Sequence, residues 1–523
     1  MALGDSPHGQ GDPGGDAAGP VPARAAADLP RIGFPARRRR RPLRIGRQLK
    51  RILAPSMDHC MVRLVLALVV VYVAACASGL APMAAAGGPT LALILVPLWL
   101  VDGVKSLVES LHPATYRTGA EDLGKVTTVI ASRNGEGVLE DTLADLQRRA
   151  MANVIVVSNG STDGTAAVAR RLGARCFEVE EPIGKVRAIE YALEHVATPY
   201  VLLIDDDTRV GDARIPTGLL DDGYRAVAFR LFAEVSTWVT RLQSYEYRKS
   251  ADITKRFHNG GATVPNVSGA VGLFTLAELR RQTALHTKEF SGEDLQRTLL
   301  VHLAGTTGGV VLTDSIIYTR PPATLRALFA QRTRGWWPGL YSNVVKFARL
   351  LLKGGSPTKI RYDAFYNLVL VVALDLVRAG SLPVLLLSPL IFGELYACYV
   401  ALEVVPYLRL GRVKAPYPAP GGTPRPTVPG GVHRQPRREP LWVLLAFPLY
   451  GLFGFVTRLC ACGVFLYRRL VAAVARSRYR DDYKKAGRPL KVVVLGAVGI
   501  VVAATLVCCL ELLTTRIGRL TGL

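Results

Sequence analysis

The longest uncharged apolar run extends from Leu64 to Val101, well beyond the ~20 apolar residues that cross a bilayer. Gly87-Gly88-Pro89 breaks it, because glycine is flexible and proline cannot continue a helix. The pattern therefore predicts a transmembrane hairpin over 59–110, with spans at 62–84 and 90–108. A second apolar block, 364–402, is interrupted by Ser381-Leu382-Pro383 and predicts another hairpin within 360–404. Inside it, Asp375 and Arg378 fall three apart on one helical face and are expected to pair. Leu441 to Tyr467 and Val492 to Leu510 mark a C-terminal transmembrane region, 441–514. Pro448, Gly451, Gly454 and Arg458 interrupt the first of these, which suggests two short passes, or one pass and an interfacial helix. Six spans are expected in all.

Between the hairpins the period changes. Residues 120–320 alternate strand-like and helix-like stretches, the pattern of an α/β domain with a parallel-rich sheet. Strands are expected at 126–131, 153–157, 175–179 and 200–204, and helices at 137–150, 164–172 and 184–196. Residues 323–350 place Trp336, Trp337, Tyr341 and Phe347 among basic residues, which suits amphipathic helices at a membrane interface over 323–355. Tyr245, Tyr247, Arg248 and Lys249 read as a solvated helix face in preference to a second interfacial or glycan-facing surface.

Of the 523 residues 50 % are apolar, and 65 Lys+Arg against 41 Asp+Glu leave a net charge of +24. Residues 1–51, 405–440 and 468–491 carry +7, +6 and +7 of it. All three abut apolar runs, so the charge points to a lipid bilayer and away from nucleic acid. Residues 1–58 read as a disordered basic tail, with five arginines at Arg37 to Arg41, and 405–440 as a Pro/Gly/Arg linker. Positive flanks stay cytoplasmic, which puts the 115–322 domain in the cytoplasm of a multi-pass protein, with the plasma membrane the expected location. The eight cysteines are scattered and match neither a zinc site nor a disulfide framework.

Candidate chemistry gathers at strand ends. Asp205-Asp206-Asp207 follows the all-apolar strand 200–204, where open α/β sheets bind ligands. Three acids at a buried tip repel one another unless a cation or strong donors offset them, and hard divalent ions prefer such oxygens. Ser158-Asn159-Gly-Ser-Thr-Asp163-Gly-Thr closes the strand 153–157 and suits a turn and helix cap as well as a ligand loop.

In order, Val-Ile-Ala-Ser-Arg-Asn-Gly-Glu, Ser-Asn-Gly-Ser-Thr-Asp-Gly-Thr, Gly184-Lys185, Asp205-Asp-Asp207, Ser291-Gly-Glu-Asp294 and Gln331-Arg-Thr-Arg334-Gly-Trp-Trp337 resemble the motifs of family-two glycosyltransferases. The likeness is to the membrane members with a GT-A nucleotide-sugar fold, such as cellulose, chitin and hyaluronan synthases. The resemblance implies a cytoplasmic GT-A domain inserted between transmembrane α-helices. It also implies inverting transfer from a nucleotide (UDP) sugar to a glycan or lipid-linked acceptor, extending and translocating a β-linked polysaccharide. It implies a divalent cation (Mg²⁺ or Mn²⁺) held by Asp205 and Asp207, Asp294 as catalytic base with Glu293 beside it, and substrate contacts from Asn159, Asp163, Lys185, Gln331, Arg334 and Trp336. Residues 266–274 resemble the family's small-residue stretch beside the acceptor, and equally read as a strand with a bulge. Two departures stand out. Ser158-Asn159 replaces a common acidic pair, and Gly335 displaces the tryptophans by one residue, a rotation of about 100° on a helix. The second departure favours the alternative of a single-sugar transferase.

Overall fold

The computed structural model describes residues 89–112, 116–288, 292–305, 309–353, 355–375, 377–379, 381, 389–412 and 439–474. The expected tail 1–58, the span 62–84, most of the 405–440 linker and the span 492–510 lie outside these residues.

Helix α1 (Pro89–Leu111) leads into the α/β domain. There follow β1 (Val126–Ser132), α2 (Glu136–Arg148), β2 (Val154–Asn159), α3 (Thr165–Arg171), β3 (Arg175–Val179), α4 (Lys185–Glu194), β4 (Tyr200–Ile204) and β5 (Thr208–Arg209). The second half contains β6 (Ala226–Ala233), α5 (Trp238–Lys249), β7 (Val271–Thr275), α6 (Glu293–Ala304) and β8 (Val310–Thr319). The eight strands form one sheet in the order β3-β2-β1-β4-β7-β6-β8-β5. β1 to β4 run parallel, whereas β7 is antiparallel to both β4 and β6. The sheet is thus mixed, and its switch lies beside β4, the strand that ends in three acids.

The strand period of two sorts β4 between two cores. Leu202 and Ile204 join Ile130, Leu139, Leu143 and Phe229 on one face. Val201 and Leu203 join Val129, Ile189, Leu193 and Val301 on the other. α2 buries Leu139, Leu143 and Leu146, and α4 buries Val186, Ile189 and Leu193, each at helical spacing.

After the sheet come α7 (Leu325–Gln331), α8 (Trp337–Ser342), α9 (Pro389–Arg412) and α10 (Leu441–Val474). Among the described residues, one helix is long and apolar enough to cross a membrane, Leu441–Arg468 within α10. α10 is continuous despite Pro448. Proline is tolerated in long apolar helices where neighbours satisfy the freed backbone groups, so the expected interruption does not occur. α9 likewise runs through Pro406 to Arg412, past the composition shift at 405. Arg378 pairs with Asp375 at 3.0 Å, as their spacing suggests, and also with Asp102 of α1 at 3.2 Å. Arg458 of α10 reaches the same Asp375 at 2.6 Å.

The expectation of a solvated face on α5 is overturned. Tyr245 is buried and donates to Glu403 at 2.7 Å, and Lys249 pairs with that carboxylate at 2.6 Å. Arg248 binds Glu439 at 3.3 Å and donates to the Leu410 carbonyl at 2.8 Å. The polar residues of α5 therefore fasten the sheet domain to α9 and to the start of α10.

Behind α5, the π turn Ser250–Lys255 sets Asp252 against Arg230 of β6. The contact is two-pronged, at 2.6 and 3.0 Å, with Arg230 only 1 % exposed, and Tyr116 donates to the same carboxylate at 2.7 Å. Removing one partner of a buried pair strands the other charge, at about 3–5 kcal/mol. Arg230→Met is therefore expected to lower unfolding stability by about that amount, read by thermal denaturation of the purified chain; a loss below ~1 kcal/mol would contradict this.

Candidate active site

The site is built at the carboxyl end of β4, where chain direction alternates the acids. The Asp205 N–H donates to the Ala270 carbonyl at 3.0 Å, and its carboxylate turns toward α4 and α6. Asp206 turns the other way, accepting from the Ser132 hydroxyl at 2.5 Å, while its carbonyl accepts from Thr142 at 2.6 Å. A Cβ on Gly135 would stand 2.2 Å from the Ser132 hydroxyl and 2.6 Å from the Asp206 carboxylate, so a larger residue would push this contact apart. Asp207 accepts long hydrogen bonds from Thr319 (3.3 Å) and Thr208 (3.4 Å). Burial, and after it the Asp206 charge, raise the affinity of Asp207 for a proton.

Lys185 opens α4 and joins the two acidic clusters. Its ammonium lies 2.5 Å from Asp205 and 3.0 Å from Glu293, and donates to the Gly269 carbonyl at 3.3 Å. Desolvation works against the lysine's charge, but Asp205 and Glu293 outweigh it and raise its pKa. Desolvation also lifts Asp205 to about 6 against the pull of Lys185. Glu293 goes the other way: burial would raise it, yet Lys185 and then Arg297 hold it down to about 2.

Glu293 and Asp294 begin α6. Gly292 precedes them at φ +91°, and a Cβ there would meet Gly339 of α8 at 2.5 Å. This close backbone contact seats the start of α6 against the interfacial helices. The Asp294 carboxylate accepts from the Gly269 N–H at 3.0 Å and from Asn266 at 3.5 Å. The 266–270 stretch is thus a loop laid on Asp294, with β7 starting only at Val271. Burial, and then the adjacent Glu293 charge, raise the Asp294 pKa.

The remaining expected residues divide. Asn159 is buried, and its side-chain oxygen accepts from the Ile183 N–H at 2.9 Å, pinning the approach to Lys185. Asp163 is exposed and accepts from the Glu136 N–H and the Thr165 N–H, each at 3.1 Å. The Thr165 hydroxyl is the first cause of its lowered pKa. With the Asn134–Thr162 bond (2.8 Å), these contacts staple the loop after β2 to the loop after β1. Gln331 and Arg334 are exposed; the buried cation of that segment is Arg332, paired with Glu246 at 2.6 Å and lying 3.6 Å from the centre of the Trp336 ring. Arg332–Trp336 forms a π turn, a bulge that accommodates one extra residue in a helix. The displacement introduced by Gly335 is absorbed there, and Trp336 stands 6.2 Å from Tyr247.

Sequence reasoning missed Arg332 and Arg297. The only signal for Arg297 is its i+4 spacing from Glu293 on α6. Among the described residues no three His, Cys, Asp or Glu side chains converge on one metal position. Asp207, with two long hydrogen bonds and crowded by like charge, is the carboxylate most open to a cation, while one oxygen of Asp205 is engaged by Lys185. That donor set fits a hard ion held by one or two carboxylates and completed by phosphate oxygens and water.

Residues 124–337 match the family model described as "Glycosyltransferase like family 2". Over 106 residues the chain is 36 % identical to glycosyltransferase AglJ of Haloferax volcanii, covering 20 % of this chain and 34 % of the relative. It is 28 % identical over 160 residues to 4,4'-diaponeurosporenoate glycosyltransferase of Staphylococcus aureus, covering 29 % and 39 %. The chain therefore spans between a third and two fifths of these relatives. Among solved structures, the mannosyltransferase PcManGT of Pyrobaculum calidifontis, in complex with GDP-Man and Mn²⁺, aligns with a TM-score of 0.43 at 18 % identity, covering 71 % of this chain and 98 % of that one. Glucosyl-3-phosphoglycerate synthase of Mycobacterium tuberculosis, with Mg²⁺ and UDP, aligns at 0.30 and 16 % identity, covering 44 % and 85 %.

The Lys185 contacts give a stability prediction with a definite pH dependence. Glu293 has a depressed pKa, so its contribution is present above the unfolded glutamate value and is lost as pH falls through about 2. Lys185→Met should lower the melting temperature most at neutral pH, with the deficit shrinking as the medium is acidified below ~4.5. A deficit independent of pH would contradict the charge assignment.

Proposed function

We propose that residues 124–337, which match the model of glycosyltransferase-like family 2, are the GT-A type domain of a membrane-embedded inverting transferase that moves a sugar from a nucleoside diphosphate, UDP the expected one, to a glycan hydroxyl. The observation that carries this is the joining of the acidic β4 tip to the Glu293-Asp294 pair through one lysine.

In the step proposed, the acceptor hydroxyl oxygen bonds to the anomeric carbon from the side opposite the leaving group. The bond from that carbon to the diphosphate oxygen breaks, and its electron pair leaves with the diphosphate. The acceptor proton passes to Asp294. Its raised pKa makes it a stronger base than an ordinary aspartate. Glu293, held ionised by Lys185 and Arg297, keeps that basicity high by like-charge repulsion. Asp207, with Asp205, would hold Mg²⁺ or Mn²⁺. Such an ion, when bound, compensates the charge on the leaving diphosphate. Lys185 adds preorganised positive charge at the same place, and the stapled loops after β1 and β2, with Asn159 and Asp163, would seat the nucleoside. Arg334 and Gln331 would approach from the α7 side.

Extension of a β-linked polysaccharide is favoured over a single transfer by two features. The π turn removes the helical displacement that spoke against it. A cavity of about 350 Å³, lined among others by Trp99, Trp337, Tyr396, Tyr399 and Arg378, opens among α1, α5, α9 and α10. Aromatic faces with paired charges suit a polyhydroxylated product passing toward the membrane. A multi-pass protein with its catalytic domain in the cytoplasm follows from the same reading.

Asp294→Asn tests the base. Turnover per folded molecule should fall by ~10²–10⁴-fold, while nucleoside diphosphate affinity stays within about twofold. Near-normal turnover would remove Asp294 from the step. Glu293→Gln should move the acidic limb of the turnover–pH profile to lower pH, because the charge that raises Asp294 is gone; a limb that stays in place would contradict the coupling.

A further inference from the structure

The carboxylate of Asp207 stands where β4 gives way to the two-residue strand β5, which runs antiparallel to the end of β8 with Thr208 opposite Thr319. Both threonine hydroxyls address the same atom. Thr319 donates to Oδ1 of Asp207 at 3.3 Å, and Thr208 donates to that oxygen at 3.4 Å. Among the described residues no hydrogen bond or ion pair reaches Oδ2. One oxygen is tethered and the other is left open. Thr319 is itself fixed: it is buried, and its carbonyl accepts from the Glu234 N–H at 2.9 Å.

The strand ends that carry the two threonines are locked by a closed ring of four side chains of alternating charge. Arg209 of β5 pairs with Asp141 of α2 at 2.7 Å and with Glu234, just after β6, at 3.6 Å. Arg320, the residue after Thr319, pairs with the same two acids, reaching Glu234 at 3.4 Å. Two cations thus cancel two anions, and neither arginine forms an ion pair with Asp207. That restraint suits a cation site. A guanidinium on Asp207 would occupy its oxygens and offset the charge a divalent ion is drawn to. A threonine hydroxyl orients the carboxylate and leaves its full negative charge in place. Carboxylates that hold metal ions are themselves hydrogen-bonded, and those outer partners tune the affinity.

We infer that Thr319 is a positioning residue for the divalent cation: its hydroxyl holds Oδ1 of Asp207 so that Oδ2 is the oxygen left for the ion. The ring of Arg209, Asp141, Arg320 and Glu234 keeps the paired ends of β5 and β8 in register around that contact. Thr319 touches neither the ion nor the sugar; it acts through Asp207. This rests on the transferase reading above and on the cation that reading requires.

The test uses purified full chains with Mn²⁺ as the probe and UDP present, and reads free Mn²⁺ by electron paramagnetic resonance. Thr319→Val keeps the size of the side chain and loses the donor, so Mn²⁺ affinity should fall about ten- to a hundredfold. UDP affinity measured without metal should be unchanged, which also reports a folded variant. Thr319→Ala and Thr319→Ser differ from each other only by the hydroxyl, and this pair keeps the test decisive if Thr319→Val does not fold. Thr319→Ser should bind Mn²⁺ within about twofold of wild type, while Thr319→Ala should show the loss expected for a missing outer partner. A purely structural threonine would lower the melting temperature of Thr319→Val and Thr319→Ala and leave Mn²⁺ affinity unchanged. Equal Mn²⁺ affinity in wild type and Thr319→Val, or in Thr319→Ala and Thr319→Ser, overturns the assignment while leaving the transferase reading intact. A wild type that binds no Mn²⁺ in the presence of UDP overturns the cation on which both rest.

Discussion

The bridge from Asp205 through Lys185 to Glu293 is the contact on which the site depends. Asp205 ends a central strand, while Glu293 starts a helix far along the chain, and their like charges would repel if brought together bare. The ammonium turns that repulsion into attraction and, by holding the Gly269 carbonyl too, draws in the loop whose N–H binds Asp294. The acidic end of β4 and the Glu293-Asp294 pair are thereby set at a fixed separation. The cost is three carboxylates and a lysine partly removed from water, which is acceptable only because each has a partner.

A second constraint joins the domain to the helices. Glu403 lies on the apolar helix α9 and Glu439 just before α10, both buried where an unpaired carboxylate is expensive, and α5 supplies Tyr245, Lys249, Arg241 and Arg248 to them. Glu246 on the same helix takes Arg332 and the Tyr450 hydroxyl. α5 therefore connects the sheet, the Trp336 turn and the long helices through ionic contacts shielded from solvent, where salt screens them weakly.

Much of the sheet was legible because period and turn chemistry agree locally. The strand 200–204 and the strand 175–179 fall where the pattern places them, and the helices on either side of β2 differ by a residue or two at their ends. The order of motifs also pointed to the acids that Lys185 brings together. What could not be read depends on distant partners. Tyr245, Arg248 and Lys249 look solvated in sequence, since nothing local announces Glu403 or Glu439 opposite them. Arg297 sits in no motif, and its burial comes entirely from tertiary packing. The effect of Gly335 was undecidable from spacing alone, because whether an extra residue rotates a helix or bulges out as a π turn is settled by what Arg332 and Trp336 pack against.

A single displacement with Asp294 as base, and no covalent sugar on the protein, has a stereochemical consequence that no other arrangement of these residues shares. The direct measurement is the anomeric configuration of the newly formed linkage when the purified chain is given an α-linked nucleoside diphosphate sugar, an acceptor and Mg²⁺ or Mn²⁺, followed by NMR. The account predicts a β linkage and one nucleoside diphosphate released per sugar transferred. An α linkage, showing retention, would contradict it.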